Sequence, residues 1–314
     1  MKIVFAEPIG VSKELRESFN SEMQKMGNEV KYFDNPISSQ NELGSRIEDA
    51  EVIVLANYPL SIDAIKRAKK LKFISVAFTG VDHIPLDYCR ENNIKVSNAA
   101  GYSTRAVAEL AISLAISLLR NVLPLDVSTR KGQTRNGFLG RELYGKTFGI
   151  VGFGNIGQKV AMLASAFGCK VVVNTRTVRN EFNVEYMSIE DLFKVSDIIS
   201  LHVPANKQTA GLVNQRLISL MKPDSILINT ARGAVVDYNA LAAALKNGLI
   251  AAAAIDVYEK EPPLEASHPI LSAPNTILLP HVGYATKEAI AERAEIVVTN
   301  IKSWLEGKTQ NAVI

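Results

Sequence analysis

KTFGIVGFGNIGQKV, Lys146 to Val160, is the stretch on which the reading of this chain turns. A short apolar run, Thr147 to Val151, feeds Gly152-Phe153-Gly154-Asn155-Ile156-Gly157 and then a segment of helical character through Phe167. Strand, G-x-G-x-x-G, helix is the context in which this motif means dinucleotide binding. The first glycine permits the tight turn, and the second lets the backbone approach a pyrophosphate. The third lets the helix pack closely on the strand, while the positive helix N-terminus attracts the phosphate charge. Gly152, Gly154, Asn155, Ile156 and Gly157 are thus expected to touch a cofactor. The motif sits mid-chain, so a further domain is expected ahead of it.

Outward from this motif, the 314 residues suffice for two domains of ordinary size. With 47% apolar and 21% charged residues the composition is that of a soluble globular protein with sizeable cores. A formal charge of +3, with no basic block longer than two residues, argues against a nucleic-acid partner. Cys89 and Cys169 stand far apart in no metal or redox spacing, so no metal site is expected and a reducing cytoplasm is the expected location. The apolar run in MKIVFAEP is too short for a signal peptide. No stretch reaches the roughly 20 apolar residues that span a bilayer, so no membrane partner is expected.

Strand-like runs alternate with helix-length segments, the pattern of α/β folds with parallel sheets. One series is read at Ile3–Ala6, Val30–Phe33, Val52–Leu55, Phe73–Val76 and Lys95–Ser97. A second is read at Thr147–Val151, Val171–Asn174, Ile198–His202, Ile226–Asn229, Ala251–Asp256 and Ile277–Leu279. Ser188-Ile-Glu-Asp191 reads as a capping box. Two series in succession predict two doubly wound parallel sheets, a Rossmann dinucleotide-binding domain set into a flavodoxin-like substrate domain. The apolar helix Thr104–Leu119 is read as the connector, with Asn98–Tyr102 as hinge. One long helix, Thr286–Leu305, is expected to return to the first domain. The expected boundaries are 1–98 with 286–314 for the substrate domain and 99–285 for the dinucleotide domain. A crevice between two such domains is the usual place for a ligand.

Three further segments end predicted strands with reactive side chains: ILINTARG (Ile226–Gly233), AIDVYEKEPP (Ala254–Pro263) and ILLPHVG (Ile277–Gly283). Parallel strands end on one edge of a sheet, so Arg232, Glu261 and His281 can converge beside a bound cofactor. With these motifs in this order the chain resembles the D-isomer-specific 2-hydroxyacid dehydrogenases, from about Val52 to the C-terminus. SVAFTGVDHI (Ser75–Ile84) and NAAGYSTRAVAE (Asn98–Glu109) bring it nearest to the glycerate dehydrogenase and hydroxypyruvate/glyoxylate reductase branch.

The chemistry agrees with what the resemblance implies. A 2-oxo acid needs its carboxylate and ketone held by a cation, and arginine offers a planar bidentate fork. Hydride addition leaves an alkoxide that must collect a proton, and imidazole suits that task. The family's roles fall on Arg232 to orient substrate, His281 to move the proton and Glu261 to raise the basicity of His281. Glu259 is a competing register, but the family pattern D-x-x-x-x-E-P selects Glu261 after Asp256. Asp256 is implied to meet the nicotinamide carboxamide, and His202, Val203, Pro204, Thr230, Ala231 and Gly283 to line the cofactor edge. His202 is read as wall, and His83 and His268 as structural histidines without such partners. In the other domain, the Phe78-Thr79-Gly80-Val81 turn is expected to hold the substrate carboxylate in an anion nest.

Eighteen residues beyond Gly157, where NAD enzymes place a carboxylate against the ribose 2′-hydroxyl, this chain has Thr175, followed by Arg176 and Thr177. A carboxylate would repel a 2′-phosphate, whereas Thr175 and Arg176 offer donors and Arg179 adds a second charge. NADP(H) is therefore expected in preference to NAD(H). The substrate is expected to be a small unphosphorylated 2-oxo or 2-hydroxy acid of glyoxylate or hydroxypyruvate type. Relatives acting on phosphoglycerate carry arginines where this chain has Ala56-Asn57-Tyr58-Pro59, and usually a C-terminal regulatory domain. The resemblance further implies a D-configured product and a homodimer formed through Asn121–Tyr144. The alternatives are a D-lactate, D-3-phosphoglycerate or 2-ketogluconate enzyme of the same family and, more distantly, a non-catalytic dinucleotide-sensing corepressor.

Overall fold

The computed structural model describes residues 1–135, 137–178, 183–260 and 263–314. Among these, the strands form two sheets in which every pairing is parallel. The chain divides into two compact units, Met1–Ser103 with Ala285–Ile314, and Thr104–Tyr284. The crossings thus fall after Ser103 and Tyr284, a few residues from the expected 98 and 285.

In the first unit β1 (Lys2–Phe5), α1 (Lys13–Lys25), β2 (Glu29–Tyr32), α2 (Gln40–Ile47), β3 (Val52–Leu55), α3 (Ile62–Arg67), β4 (Phe73–Val76), α4 (Leu86–Glu91) and β5 (Lys95–Asn98) follow one another. The sheet order is β2-β1-β3-β4-β5, the flavodoxin-like arrangement. The VIVL and FISV of β3 and β4 are buried throughout, as strands covered on both faces must be. Edge strand β2, EVKY, is only half-buried at alternate positions. Serines punctuate the helices: Ser12, Ser39 and Ser61 each accept the N–H of the residue three on, satisfying a donor the helix leaves open.

The second unit runs through α5 (Thr104–Leu119), α6 (Val122–Arg130), β6 (Thr147–Val151), α7 (Asn155–Ala166), β7 (Lys170–Asn174), β8 (Glu185–Tyr186), α8 (Ile189–Val195), β9 (Ile198–Leu201), α9 (Gln215–Ile218), β10 (Ile226–Asn229), α10 (Tyr238–Lys246), β11 (Ala252–Ile255) and β12 (Thr276–Leu278). Its sheet order is β12-β11-β10-β9-β6-β7-β8. The winding reverses between β6 and β9, the switch point at which doubly wound sheets open a crevice at their C-terminal edge. Alternation along each strand supplies two cores: Ile150 faces α5 and α7, while Val151 faces α8, α9 and α10. The α5 helix, expected as a connector, buries Ala108, Ala111, Ile112, Ala115 and Leu119 in the first of these cores. No single helix among the described residues is long and apolar enough to cross a membrane; α5 and α6 together pass by composition but bend by 59°.

The chain then returns to the first unit as α11 (Lys287–Leu305), capped by Thr286. Trp304 stacks on Phe73 with ring centroids 5.1 Å apart, and the Asn300 side chain donates to the carbonyl of Asn98 at 2.8 Å. A residue-pair bridge between Ser97 and Ala312 fixes the tail.

Candidate active site

The three glycines of the turn after β6 have three different physical reasons. Gly152 has φ +95°, and a Cβ there would strike the His202 carbonyl and Val203. This glycine lets the first crossover approach the neighbouring strand end across the switch point. Gly157 sits so close to the Gly152 carbonyl that a Cβ would collide with it. Gly154 caps α7, and a Cβ there would meet no described atom within 4 Å. Its smallness answers no need inside the protein, which fits a site reserved for the close approach of a pyrophosphate to Asn155, Ile156 and the helix N-terminus.

The other expected cofactor residues lie on the same C-terminal edge. His202 follows β9, and its Nε2 shares a hydrogen bond of 2.9 Å with Ser200 Oγ. The ring is deep enough that desolvation pushes its pKa down to about 3, so it is neutral at working pH. Its Nδ1 has no partner among the described residues. Thr230, after β10, is likewise buried with an unpartnered Oγ1. Two orphaned polar atoms beside an open Gly-rich turn are what a dinucleotide with hydroxyl and amide groups would satisfy. Pro204 accepts from Thr209 Oγ1 at 2.5 Å, and the Asn206 side chain takes the N–H groups of Gln208 and Thr209, so the loop after Val203 is pinned. Thr175, Arg176 and Thr177 follow β7; Arg176 is exposed and donates to Gln208 Oε1 at 3.2 Å. Gln208 was not anticipated. Arg179 lies outside the described residues.

Arg232 lies three residues beyond β10, half-buried, with its guanidinium donating to the Ala231 carbonyl at 2.8 Å. Its backbone carbonyl accepts from Asn229, whose side chain also bonds the Tyr238 hydroxyl; that hydroxyl donates in turn to Val257. Next to it, Gly233 leaves room for the backbone of Tyr258 and Glu259, which any Cβ would strike. The loop bearing Arg232 is therefore locked against the loop after β11. Glu261 and its neighbour Pro262 lie outside the described residues. Glu259 does not: its carboxylate is 3.2 Å from His268 Nε2. His268, read as a structural histidine, thus has an acidic partner in its own loop. Its ring also packs edge-on to Tyr238 and Tyr258, so Glu259 is engaged in the loop's own structure.

His281, three residues past β12, adopts φ +56°, a left-handed backbone that costs a non-glycine residue of order 1 kcal/mol. Asp256 holds it there. Asp256 is 1% exposed; its carbonyl accepts from the His281 N–H at 2.7 Å. Its two carboxylate oxygens accept from Val282 and Gly283 at 2.8 Å each. Asp256 thereby clamps the histidine turn, a task the sequence reading did not give it. The His281 imidazole stands perpendicular to the Tyr284 ring at 5.6 Å.

The Phe78-Thr79-Gly80-Val81 turn belongs to the first unit and follows β4. Asn98 Nδ2 donates to the Thr79 carbonyl at 2.8 Å and Ala99 N to Phe78 at 3.0 Å. The N–H groups of Thr79, Gly80 and Val81 donate to no described residue, leaving them available to an anion.

Comparison with known proteins gives a consistent picture. Residues 112–283 match the family model for the D-isomer specific 2-hydroxyacid dehydrogenase, NAD binding domain. A glyoxylate reductase of Thermococcus litoralis is 39% identical over 82% of this chain and 81% of its own. A hydroxypyruvate reductase of Thermotoga maritima is 39% identical over 80% and 83%. A D-3-phosphoglycerate dehydrogenase of Methanocaldococcus jannaschii is also 39% identical, over 88% of this chain but only 54% of its own length. Among solved structures, an acyclic imino acid reductase in complex with NADPH and D-Arg superposes with a TM-score of 0.90, at 32% identity over the full length of both chains.

Proposed function

The chain belongs to the D-isomer-specific 2-hydroxyacid dehydrogenase family, and from that premise we propose that it reduces small, unphosphorylated 2-oxo acids such as glyoxylate or hydroxypyruvate to D-2-hydroxy acids with NADPH. The observation that supports this most is the shared edge of the seven-stranded sheet. Arg232 follows β10 and an Asp256-clamped His281 follows β12, on the edge that also bears the Gly152–Gly157 turn.

The bound nicotinamide supplies the hydride. The chain's own residues do the rest. Arg232 holds the carboxylate and ketone oxygen in its fork, and in the first unit the open N–H groups of Thr79, Gly80 and Val81 are suited to a carboxylate. His281 gives a proton to the carbonyl oxygen as charge develops there, and the family pattern gives Glu261 the role of raising its basicity. Reduction draws a proton from His281 and oxidation returns one, so the two directions respond oppositely to pH. Identical limbs in both directions would remove His281 from the proton route.

NADPH is favoured because, among the described residues between β7 and β8, Arg176 supplies a cation and no carboxylate is present. Arg176 is tied to Gln208, and Lys207 stands beside it, so a 2′-phosphate meets positive charge and donors. Nothing in the Ala56-Asn57-Tyr58-Pro59 loop supplies a cation for a phosphorylated substrate. The exposed apolar side chains Val122, Leu123, Val127, Leu139 and Tyr144 support a homodimer through Asn121–Tyr144, and the composition a cytoplasmic home without membrane or nucleic-acid partners.

A panel of 2-oxo acids assayed with both reduced cofactors tests this reading. Glyoxylate or hydroxypyruvate with NADPH should lead; preference for 3-phosphohydroxypyruvate would overturn the substrate class, and preference for NADH the cofactor. Failure to turn over any 2-oxo acid would favour the sensor reading.

A further inference from the structure

We propose that Asn98 is a positioning residue for the substrate carboxylate: by donating to the Thr79 carbonyl it aims the open N–H groups of the Phe78–Val81 turn at the anion. The inference rests on the reading of that turn as the carboxylate site.

A trans peptide is planar, with its C=O and N–H on opposite sides. Holding a carbonyl therefore fixes where the N–H of the next residue points. The Phe78 carbonyl accepts from Ala99 N at 3.0 Å, and the Thr79 carbonyl accepts from Asn98 Nδ2 at 2.8 Å. Both carbonyls are drawn to the end of β5, so the N–H groups of Thr79 and Gly80 face away from it. Two successive N–H groups turned to one side make an anion nest. The β4–β5 register ends at Val76 and Asn98, so the ladder itself does not hold the Thr79 carbonyl. The bond from Ala99 is made by backbone, which any residue but proline supplies. The bond from Asn98 is made by a side chain, and depends on the identity of residue 98.

That side chain is held in one orientation. Its Oδ1 accepts from Ala100 N at 3.2 Å, so the amide cannot turn over without setting donor against donor and acceptor against acceptor. The Asn98 N–H donates to the Asn311 carbonyl at 3.1 Å, and the Asn98 carbonyl accepts from Asn300 Nδ2 at 2.8 Å. Asn300 is 1% exposed and shares the buried face of α11 with Ala294, Val297, Val298 and Ile301. An amide buried there is costly unless it is hydrogen-bonded. Its Oδ1 accepts from Asn311 Nδ2 at 2.9 Å. Three asparagines, from the end of β5, from α11 and from the tail, thereby brace the bond that orients the nest.

The test compares wild type with N98S and N98D, measuring kcat, KM for glyoxylate, KM for NADPH and the inhibition constant of oxalate. Asn98→Ser keeps an oxygen for the Ala100 N–H and is too short to reach the Thr79 carbonyl. Asn98→Asp also keeps that acceptor, but sets a second oxygen against the carbonyl. N98S should raise the glyoxylate KM and the oxalate constant about tenfold, with kcat and the NADPH KM within about twofold. N98D should lose more than N98S. An unaltered glyoxylate KM in either variant, or equal losses in kcat and in the NADPH KM, would overturn the proposal and leave Asn98 a turn-capping role. If N98S does not fold, N98D decides by the same measurements. A wild type that turns over no 2-oxo acid would sink the functional reading itself, a separate result from normal turnover with an unaltered KM in N98S.

Discussion

Asp256 accepts the backbone N–H of His281 at 2.7 Å through its carbonyl, and with its carboxylate it takes the next two N–H groups of the turn. One buried residue thus stabilises the left-handed backbone from which the imidazole projects. In Asp256→Asn one of those oxygens becomes an NH2 facing an N–H donor. Leaving a buried donor unmatched costs about 1–3 kcal/mol. Thermal unfolding should register that loss, and kcat should fall further than the NADPH KM rises. An unaltered kcat would separate Asp256 from the placement of His281.

Gly154 and Gly157 should part company on alanine substitution. Gly154 has ordinary φ of −75° and open space around it, so Gly154→Ala should unfold at the wild-type temperature yet raise the cofactor KM. Gly157→Ala drives a methyl into the Gly152 carbonyl and should destabilise by about 1–3 kcal/mol. Paired melting curves and NADPH titrations check both, and equal destabilisation would deny Gly154 its role as the open approach.

The proposed preference for NADPH rests on Arg176 and its partner. Arg176→Ala should lower kcat/KM with NADPH by about 1.5–3 kcal/mol in activation terms, with a smaller effect on NADH. Gln208→Glu would turn the present hydrogen bond into an ion pair and bring a negative charge to the 2′ site, so the same selective loss is expected. In the Arg176→Ala background, Gln208→Glu should have a smaller further effect. Parallel losses with both cofactors would show that this corner does not read the 2′-phosphate.

His202 makes an acid-stability prediction. Burial lowers its pKa to about 3 in the folded chain, against about 6.5 unfolded. Between those values the unfolded state binds a proton that the native state refuses, so the contribution is present above the unfolded value and is lost as pH falls. From pH 7 to pH 5 the loss attributable to this one ring is about 2 kcal/mol. His202→Asn should flatten that part of the stability profile in denaturant unfolding. An unchanged slope would place the acid sensitivity elsewhere.

Much of this was legible because buried parallel strands are short apolar runs bounded by turn residues, and the VIVL, FISV and ILIN segments declare themselves. The glycine turn and the strand-end placement of Arg232 and His281 followed from the same logic. Two elements did not. The two residues of β8 form an edge strand too short to show any period. The α6 helix contains Pro124 and buries no side chain, so it lacks the apolar stripe that marks a helix. The buried Arg293 and Glu7 escaped notice because a charged side chain is ordinarily assigned to solvent. Position 293 nevertheless falls four before Val297 on the buried side of α11, and that spacing is the signal by which it can be found. Gln208 and the clamp by Asp256 depend on contacts across loops, which no periodicity encodes.

The most direct measurement is the steady-state rate of NADPH oxidation by glyoxylate in wild type and in His281→Asn, which keeps a residue tolerant of the left-handed backbone. Proton donation from His281 requires kcat to fall by about 10²–10⁴ with little change in the KM for NADPH. A variant that turns over as fast as wild type would contradict it.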